Sequence, residues 1–200
     1  MTADPAAGSG QAFVFKNRGA LLTAPALLLA LFGKPSAFGI AVGLPFAFIG
    51  EALRCWAVGY SGSTTRSDRV EAPKLVTAGP YAYVRNPLYL GNFITAAGFT
   101  IAFTGKNSFI GKVGLGLAAL GTIAGVYSTI IPHEEQFLQD EFGDEFTAYR
   151  ERVPPIIPLS EPAENGIGQY DPDVLLSAES KTFATFGAML AMLALKAIKA

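Results

Sequence analysis

Five stretches of this 200-residue chain contain no Asp, Glu, Lys or Arg: residues 19–33, 35–50, 87–105, 113–132 and 182–195. A membrane-spanning helix needs about 20 mostly apolar residues. The third and fourth stretches reach that length unaided. The second reaches it by running on through Glu51 and Arg54 to Tyr60. The first and last are shorter, so each tilts little or lies partly in the interface. Five buried apolar helices are too many for a soluble protein of this length. The expected fold class is therefore all-α: a polytopic helical membrane protein with about five membrane helices and one cytoplasmic helical segment.

Composition supports that reading and removes others. Charged residues make up 16% of the chain and the hydrophobic set 50%, against about 25% charged in a typical soluble domain. A chain so apolar does not stay disordered. Its net charge of −1 and lack of a basic stripe argue against nucleic-acid partners. Cys55 is the only cysteine, so no intrachain disulfide forms. The last residues, Ala-Ile-Lys-Ala, are not a prenylation box. Residues 1–112 hold ten basic and four acidic side chains, whereas residues 113–200 hold five and twelve.

Lys and Arg flanking the spans predict orientation. Lys16 and Arg18 precede the first span, and Arg66, Arg69, Lys74 and Arg85 separate the second from the third. The opposite loops carry Lys34, then Lys106 and Lys112. The N-terminus, the 61–86 loop and residues 133–180 are thus expected on the cytoplasmic side. The first apolar run lacks a small-x-small cleavage site and is expected to be an anchor, not a removed signal peptide. The segments expected are an N-terminal tail (1–18), a membrane core (19–158), a linker rich in turn residues (159–180) and a C-terminal membrane or interfacial helix (181–200).

Two features inside the spans carry a structural expectation. Glu51 and Arg54 lie three apart and share a helical face. Each unpaired would cost about 3 kcal/mol at the bilayer centre. They form either the polar wall of a cavity, and so a candidate substrate contact, or a structural ion pair near the interface beside Trp56 and Tyr60, which is the preferred reading. In the fourth span, Gly114-Leu-Gly116 follows no strand and is not a dinucleotide loop. Gly121 and Gly125, four apart, are expected to allow close helix contact.

The most informative run is Leu75-Val-Thr-Ala-Gly-Pro-Tyr-Ala-Tyr-Val-Arg-Asn-Pro-Leu-Tyr-Leu-Gly91. Gly79 and Pro80 are turn residues. Asn86-Pro87 predicts a helix start, with Asn as the cap and Pro in the first turn. Free backbone N–H groups there favour an anionic group. Arg85 beside them adds a fork of donors for carboxylate or phosphate. Tyr81, Tyr83 and Tyr89 offer rings for a base or a cation.

The second run starts at Pro132-His-Glu-Glu and reads as a helix to about Val153. Phe137, Leu138, Phe142, Phe146, Tyr149 and Val153 recur at helical spacing as an apolar face. Gly143 is the point where it can break. Glu134 and Glu135 stand apart from the solvated acids, at the mouth of the fourth span. His133-Glu134 begins a zinc-protease pattern, but residue 137 is Phe and His133 is the only histidine. No metal site of that type is expected.

Together the two runs, with Leu53-Arg54-x-Trp56, resemble the isoprenylcysteine carboxyl methyltransferase and phospholipid methyltransferase superfamily of integral membrane enzymes. The resemblance covers roughly residues 40–158. Many members have Arg-His-Pro where this chain has Arg85-Asn86-Pro87; Asn hydrogen-bonds but carries no proton in chemistry. The resemblance implies S-adenosyl-L-methionine as cofactor and a lipophilic methyl acceptor: a lipid, an isoprenylcysteine-like carboxylate, or a small amine or thiol. It implies Glu134 against the cofactor ammonium, and Arg85, Asn86, Pro87 and Leu88 at the helix start around its carboxylate. Tyr81 and Tyr89 would border the sulfonium or ribose, and Lys74, Leu75 and Val76 the adenine. The third and fourth spans would form a hairpin, so both runs meet at one cytoplasmic surface. Arg85, Tyr89 and Glu135 are the candidate catalytic residues, and Glu135, Tyr83 and Glu51 the candidate bases if the acceptor is an amine. Two other readings exist. A membrane-bound NADPH-dependent sterol or enone reductase carries a similar run, but Glu134-Glu135 would repel a diphosphate. A catalytically silent scaffold of the same fold would tolerate Asn86. Nothing in the sequence sets the oligomeric state.

Overall fold

The structure, a computed structural model, describes residues 9–62, 74–158 and 161–199. Seven helices form among them. These are α1 (Ser9–Phe32), α2 (Ala37–Ser61), α3 (Pro87–Thr104), α4 (Phe109–Gly116), α5 (Thr122–Phe142), α6 (Asp144–Arg152) and α7 (Val174–Ile198). A π-helical turn, Leu117–Gly121, joins α4 to α5, and a short 3-10 turn, Gly79–Ala82, precedes α3. Each charge-free stretch is thus helical, because in hydrocarbon only an internally bonded backbone is stable.

Three helical segments are long and apolar enough to cross a membrane: Ala37–Ser61, Phe109–Phe142 and Val174–Ile198. Asn17–Phe32 is a shorter apolar helix. The all-α class expected from the sequence is the one found, but with three helices of spanning length among the described residues rather than about five; α3, expected to span unaided, is not one of them. Large apolar side chains such as Phe38, Phe109, Ile110 and Leu117 point outward, as they do when the surroundings are lipid rather than water.

Backbone and side-chain staples order the helices. Asn107 accepts from Lys34 N at 2.7 Å and donates to Phe32 O at 3.1 Å, while Lys106 N donates to Lys34 O. The end of α1, the start of α2 and the end of α3 are therefore neighbours, so α1, α2 and α3 alternate in direction, while α4 and α5 continue as one segment through the π-helical turn. The opposite end gathers the end of α2, the start of α3, the end of α5 and the start of α7. The 74–86 loop also lies there, so the segments expected on one side of the membrane do share one end. Arg66 and Arg69 lie outside the described residues.

Glycines decide which helices touch, and not the glycines expected. A Cβ at Gly43 or Gly98 would overlap the facing backbone of α3 or α2, and one at Gly50 or Gly91 the next pair along. α2 and α3 are therefore in backbone contact along their length. Gly121 and Gly125 face open space, with nothing within 4 Å of an added Cβ. They make no close helix contact, because their face of α5 turns away from the bundle.

Of four further boundaries, three differ from the sequence reading and the break at Gly143 agrees with it. α1 begins at Ser9, inside the segment read as a tail. Asn86 precedes α3 without capping it: its side chain bonds Glu135 and Pro155 instead of the helix start. The expected helix beyond Pro132 divides at Gly143, whose φ of 51° is left-handed and strained for other residues. α6 then folds back, and Phe146, Tyr149 and Val153 pack on Leu75.

The segment read as a linker is the fourth. Residues 161–173 form a strap bonded across the 74–86 loop. Ala163 N donates to Ala82 O, Thr77 N and Ala78 N to Ile167 O, and Ile167 N to Thr77 Oγ1 at 2.8 Å. Asp171 N donates to Gly59 O, and Tyr170 lies over Tyr60 with ring centroids 5.7 Å apart. α7 then starts at Val174, seven residues before the expected helix. Turn-residue composition carries no information on what an irregular backbone touches, nor on where the next helix starts.

Candidate active site

Pro87 sits in the first turn of α3, where its missing N–H costs nothing. By helix geometry the amides of Leu88 and Tyr89 have no carbonyl in a preceding turn to bond. In the same first turn, Tyr89 projects toward α5 and donates its hydroxyl to Glu134 Oε1 at 2.6 Å. Its ring lies 4.3 Å from that of Tyr127.

Arg85 does not present the open fork expected from the sequence. Its Nε and Nη2 each donate to Glu135 at 2.9 Å, a bidentate pair. Its Nη1 donates to Val153 O at 2.6 Å and to Arg150 O at 3.1 Å. Asn86 Nδ2 donates to Glu135 Oε1 and Pro155 O, both at 3.2 Å. The backbone adds Arg85 N to Pro154 O and Asn86 N to Pro155 O. These contacts clamp the segment after α6 onto the start of α3. Glu135, with both oxygens held, is an anchor in this arrangement and not an available base.

Tyr81 and Tyr149 complete the wall outside the membrane helices. Tyr149 donates its hydroxyl to Tyr81 O at 2.7 Å. Burial pushes the Tyr81 phenol up to about 12, with a hydrogen bond to the Ser61 hydroxyl pulling the other way. Burial also raises Tyr149. Both phenols are neutral donors at any physiological pH.

A cavity of about 930 Å³ runs through this region. At its polar end stand Lys74, Val76, Tyr81, Arg85, Asn86, Pro87, Leu88, Tyr89, Glu134 and Glu135. Two elements distant in sequence thus meet, as the hairpin expectation required. Leu75 is the exception: it is buried against Phe146, Tyr149 and Val153, behind the wall. Alternate residues of an extended strand face opposite ways, so Lys74 and Val76 line the cavity and Leu75 does not.

The cavity continues between α1, α3, α5 and α7, where Leu22, Ala26, Phe99, Ile123, Phe186 and Met189 line it. Glu51 and Arg54 form part of that wall, 3.8 Å apart. Both structural expectations for this pair hold at once: they are an ion pair and a cavity wall. Arg54 further donates to Asn92 Oδ1 and to Glu179 Oε2, the latter at 2.8 Å. Asn92 donates to the Tyr127 hydroxyl at 2.6 Å. Sequence reasoning missed Asn92, Tyr127 and Glu179. The first two are polar residues in charge-free spans, a usable signal; Glu179 sat in the supposed linker and gave none. Among the described residues no group of three or more His, Cys, Asp or Glu is placed to hold a metal ion.

Known proteins share this segment. The profile of the phospholipid methyltransferase family matches residues 38–145. The chain is 35% identical over 120 residues to a protein-S-isoprenylcysteine O-methyltransferase of Schizosaccharomyces pombe, covering 58% of this chain and 48% of the relative. It is 31% identical over 121 residues to protein-S-isoprenylcysteine O-methyltransferase B of Arabidopsis thaliana, 58% of each chain. With the Rattus norvegicus protein-S-isoprenylcysteine O-methyltransferase it shares 31% over 131 residues, 64% of this chain and 44% of that one. The chain spans about half the length of the curated relatives it matches. No solved structure matches it.

Proposed function

Because the chain belongs to the phospholipid methyltransferase family, we propose that it transfers a methyl group from S-adenosyl-L-methionine to a lipophilic acceptor. An isoprenylcysteine-type carboxylate is the first choice, on the names of its relatives. The observation that carries this reading is the single cavity joining the polar end at Glu134 to the apolar walls at Leu22, Phe99 and Met189. A charged cofactor and a hydrocarbon chain need such opposite surroundings, and methyl transfer needs them in one space.

The donor set fits the cofactor. Glu134, steered by Tyr89, suits an ammonium. The open amides at the start of α3 and Lys74 suit a carboxylate. The Tyr81 and Tyr89 rings suit a sulfonium, which is attracted to aromatic faces. When bound, S-adenosylmethionine supplies an electrophilic methyl carbon on sulfur. The protein's own part is to hold the acceptor in line and keep water out, an advantage that reaches about 7–11 kcal/mol in well-oriented systems. A carboxylate acceptor is already an anion, so no residue need take a proton. Arg85 acts by fixing the wall, and Tyr89 by orienting Glu134. The polar end of the cavity is assigned to the cytoplasmic face on the distribution of Lys and Arg.

Calorimetry on the detergent-purified protein tests this, with S-adenosylhomocysteine and NADPH as ligands. Methyl transfer from labelled S-adenosylmethionine to N-acetylated farnesylcysteine is the companion assay. Binding of the first ligand, weakened in Glu134→Gln, together with label in the lipid product is the expected result. Binding of NADPH alone would move the protein to the reductases, and no binding by folded protein would leave a scaffold.

A further inference from the structure

Arg54 takes no part in the chemistry above, yet polar groups of four helices converge through it. Both it and Glu51 are 8% exposed. From α7, Glu179 Oε2 accepts from its Nη2 at 2.8 Å, and Thr182 Oγ1 lies 3.4 Å from the same nitrogen. Its Nη1 donates to Asn92 Oδ1 on α3. Asn92 Nδ2 donates to the Tyr127 hydroxyl on α5. The Tyr127 ring lies against Tyr89, whose hydroxyl Glu134 holds.

Each link in this chain is directional. A guanidinium is planar and rigid, so the position of Nη2 on Glu179 fixes where Nη1 points. An amide has one accepting and one donating end, so Arg54 sets which end of Asn92 faces Tyr127. Glu179 is 1% exposed, and a carboxylate that buried persists only where charge and hydrogen bonds compensate it. α7 lies outside residues 38–145, the segment matched by the family profile.

We propose that Glu179 is a positioning residue of the site: it acts from α7, through Arg54, Asn92 and Tyr127, to set Tyr89 against Glu134. The proposal rests on the reading of Glu134 and Tyr89 as cofactor contacts. A packing role for α7 is separable from it. The far end of that helix is held by Met189 and Leu193 in the core and by Lys196 Nζ, which donates to Leu31 O and Gly33 O. Those contacts do not depend on a charge at residue 179. Gln at 179 keeps the size and one carbonyl acceptor but cannot balance the guanidinium.

The test uses protein carrying 3-fluorotyrosine in detergent, with the Tyr89 and Tyr127 fluorine signals identified by Tyr→Phe variants. Glu179→Gln and Arg54→Lys are expected to shift both signals, leave Tyr149 unmoved and weaken S-adenosylhomocysteine about threefold, less than loss of the Tyr89 hydroxyl through which they act. Thr182→Val shifts them less, in the same direction. Lys196→Met, which loosens only the far end of α7, leaves signals and affinity as in the wild type. Unmoved Tyr89 and Tyr127 signals with wild-type affinity in Glu179→Gln would overturn the proposal. So would equal effects of Lys196→Met, which would reduce α7 to packing. If the wild type binds no S-adenosylhomocysteine, the methyltransferase reading fails, and the fluorine signals still judge the relay.

Discussion

The Tyr89 hydroxyl donates to Glu134 Oε1 at 2.6 Å and so joins the start of α3 to the end of α5 across 45 positions of sequence. The contact is short because the acceptor is a carboxylate. It engages one of the two Glu134 oxygens, Oε1. The polar end of the cavity is organised around this pair, and its consequences are measurable.

Glu134→Gln should weaken S-adenosylhomocysteine by roughly tenfold to a hundredfold, since hydrogen bonds to charged groups contribute about 1.5–3 kcal/mol. Tyr89→Phe removes only the bond that steers Glu134 and leaves the charge in place, so it should cost less, about fivefold or about 1 kcal/mol. Titration calorimetry on the two variants gives the order. A larger loss in Tyr89→Phe than in Glu134→Gln would contradict the assignment of the charge to the ligand.

Arg85→Lys should destabilise the protein by about 2–3 kcal/mol, because an ammonium cannot serve a bidentate carboxylate and two carbonyls together. The segment after α6 should loosen with it, since Arg85 holds Val153 O and Arg150 O. Thermal unfolding in detergent and faster tryptic cutting after Arg150 and Arg152 are the readouts. Wild-type behaviour in both would show that the clamp is dispensable.

Gly43→Val should destabilise by about 3 kcal/mol, at the upper end of overpacking costs, as α2 and α3 are forced apart. Gly125→Ala should instead stabilise by about 0.5–1 kcal/mol, the helix-propensity difference, because its face is open. Paired melting curves decide. Similar losses in both variants would mean that α5 packs through its glycines after all.

Alkali should unfold the loop that holds Tyr81. Its folded pKa, raised by burial to about 12, lies above the ordinary value of 10. The phenol therefore stays neutral in the folded state where it ionises in the unfolded one. Its contribution is fully present below pH 10 and is lost as pH rises toward 12. Tyrosinate absorbance followed through that window should show a late step that Tyr81→Phe removes. A Tyr81 that titrates at its ordinary value in folded protein would contradict its burial.

Local features of the chain were legible without coordinates. Charge-free runs placed the helices, Pro87 placed a helix start and Gly143 a break. The two motif runs identified most of the polar cavity wall, because Tyr89 and Glu134 lie at the ends of adjacent antiparallel spans. Connectivity alone brings such ends together. Where the reading failed, a local signal had been asked a non-local question. Gly121 and Gly125 have helix-packing spacing, but spacing cannot tell which face of α5 meets a neighbour. Arg85 has the donors for a ligand, but Glu135 is 50 positions away and takes them.

The sequence by itself determined that this is a helical membrane protein, which segments are helices and which family it joins. Hydropathy, proline and glycine act through neighbouring residues, and each stretch of chain carries them wherever it lies. Only the tertiary structure decided that Glu179 meets Arg54 across 125 positions, that residues 161–173 strap the loop, and that one cavity joins both ends of the site. Those pairings depend on which helix faces pack together. That is set by the sum of many contacts between distant segments, and no single segment contains it.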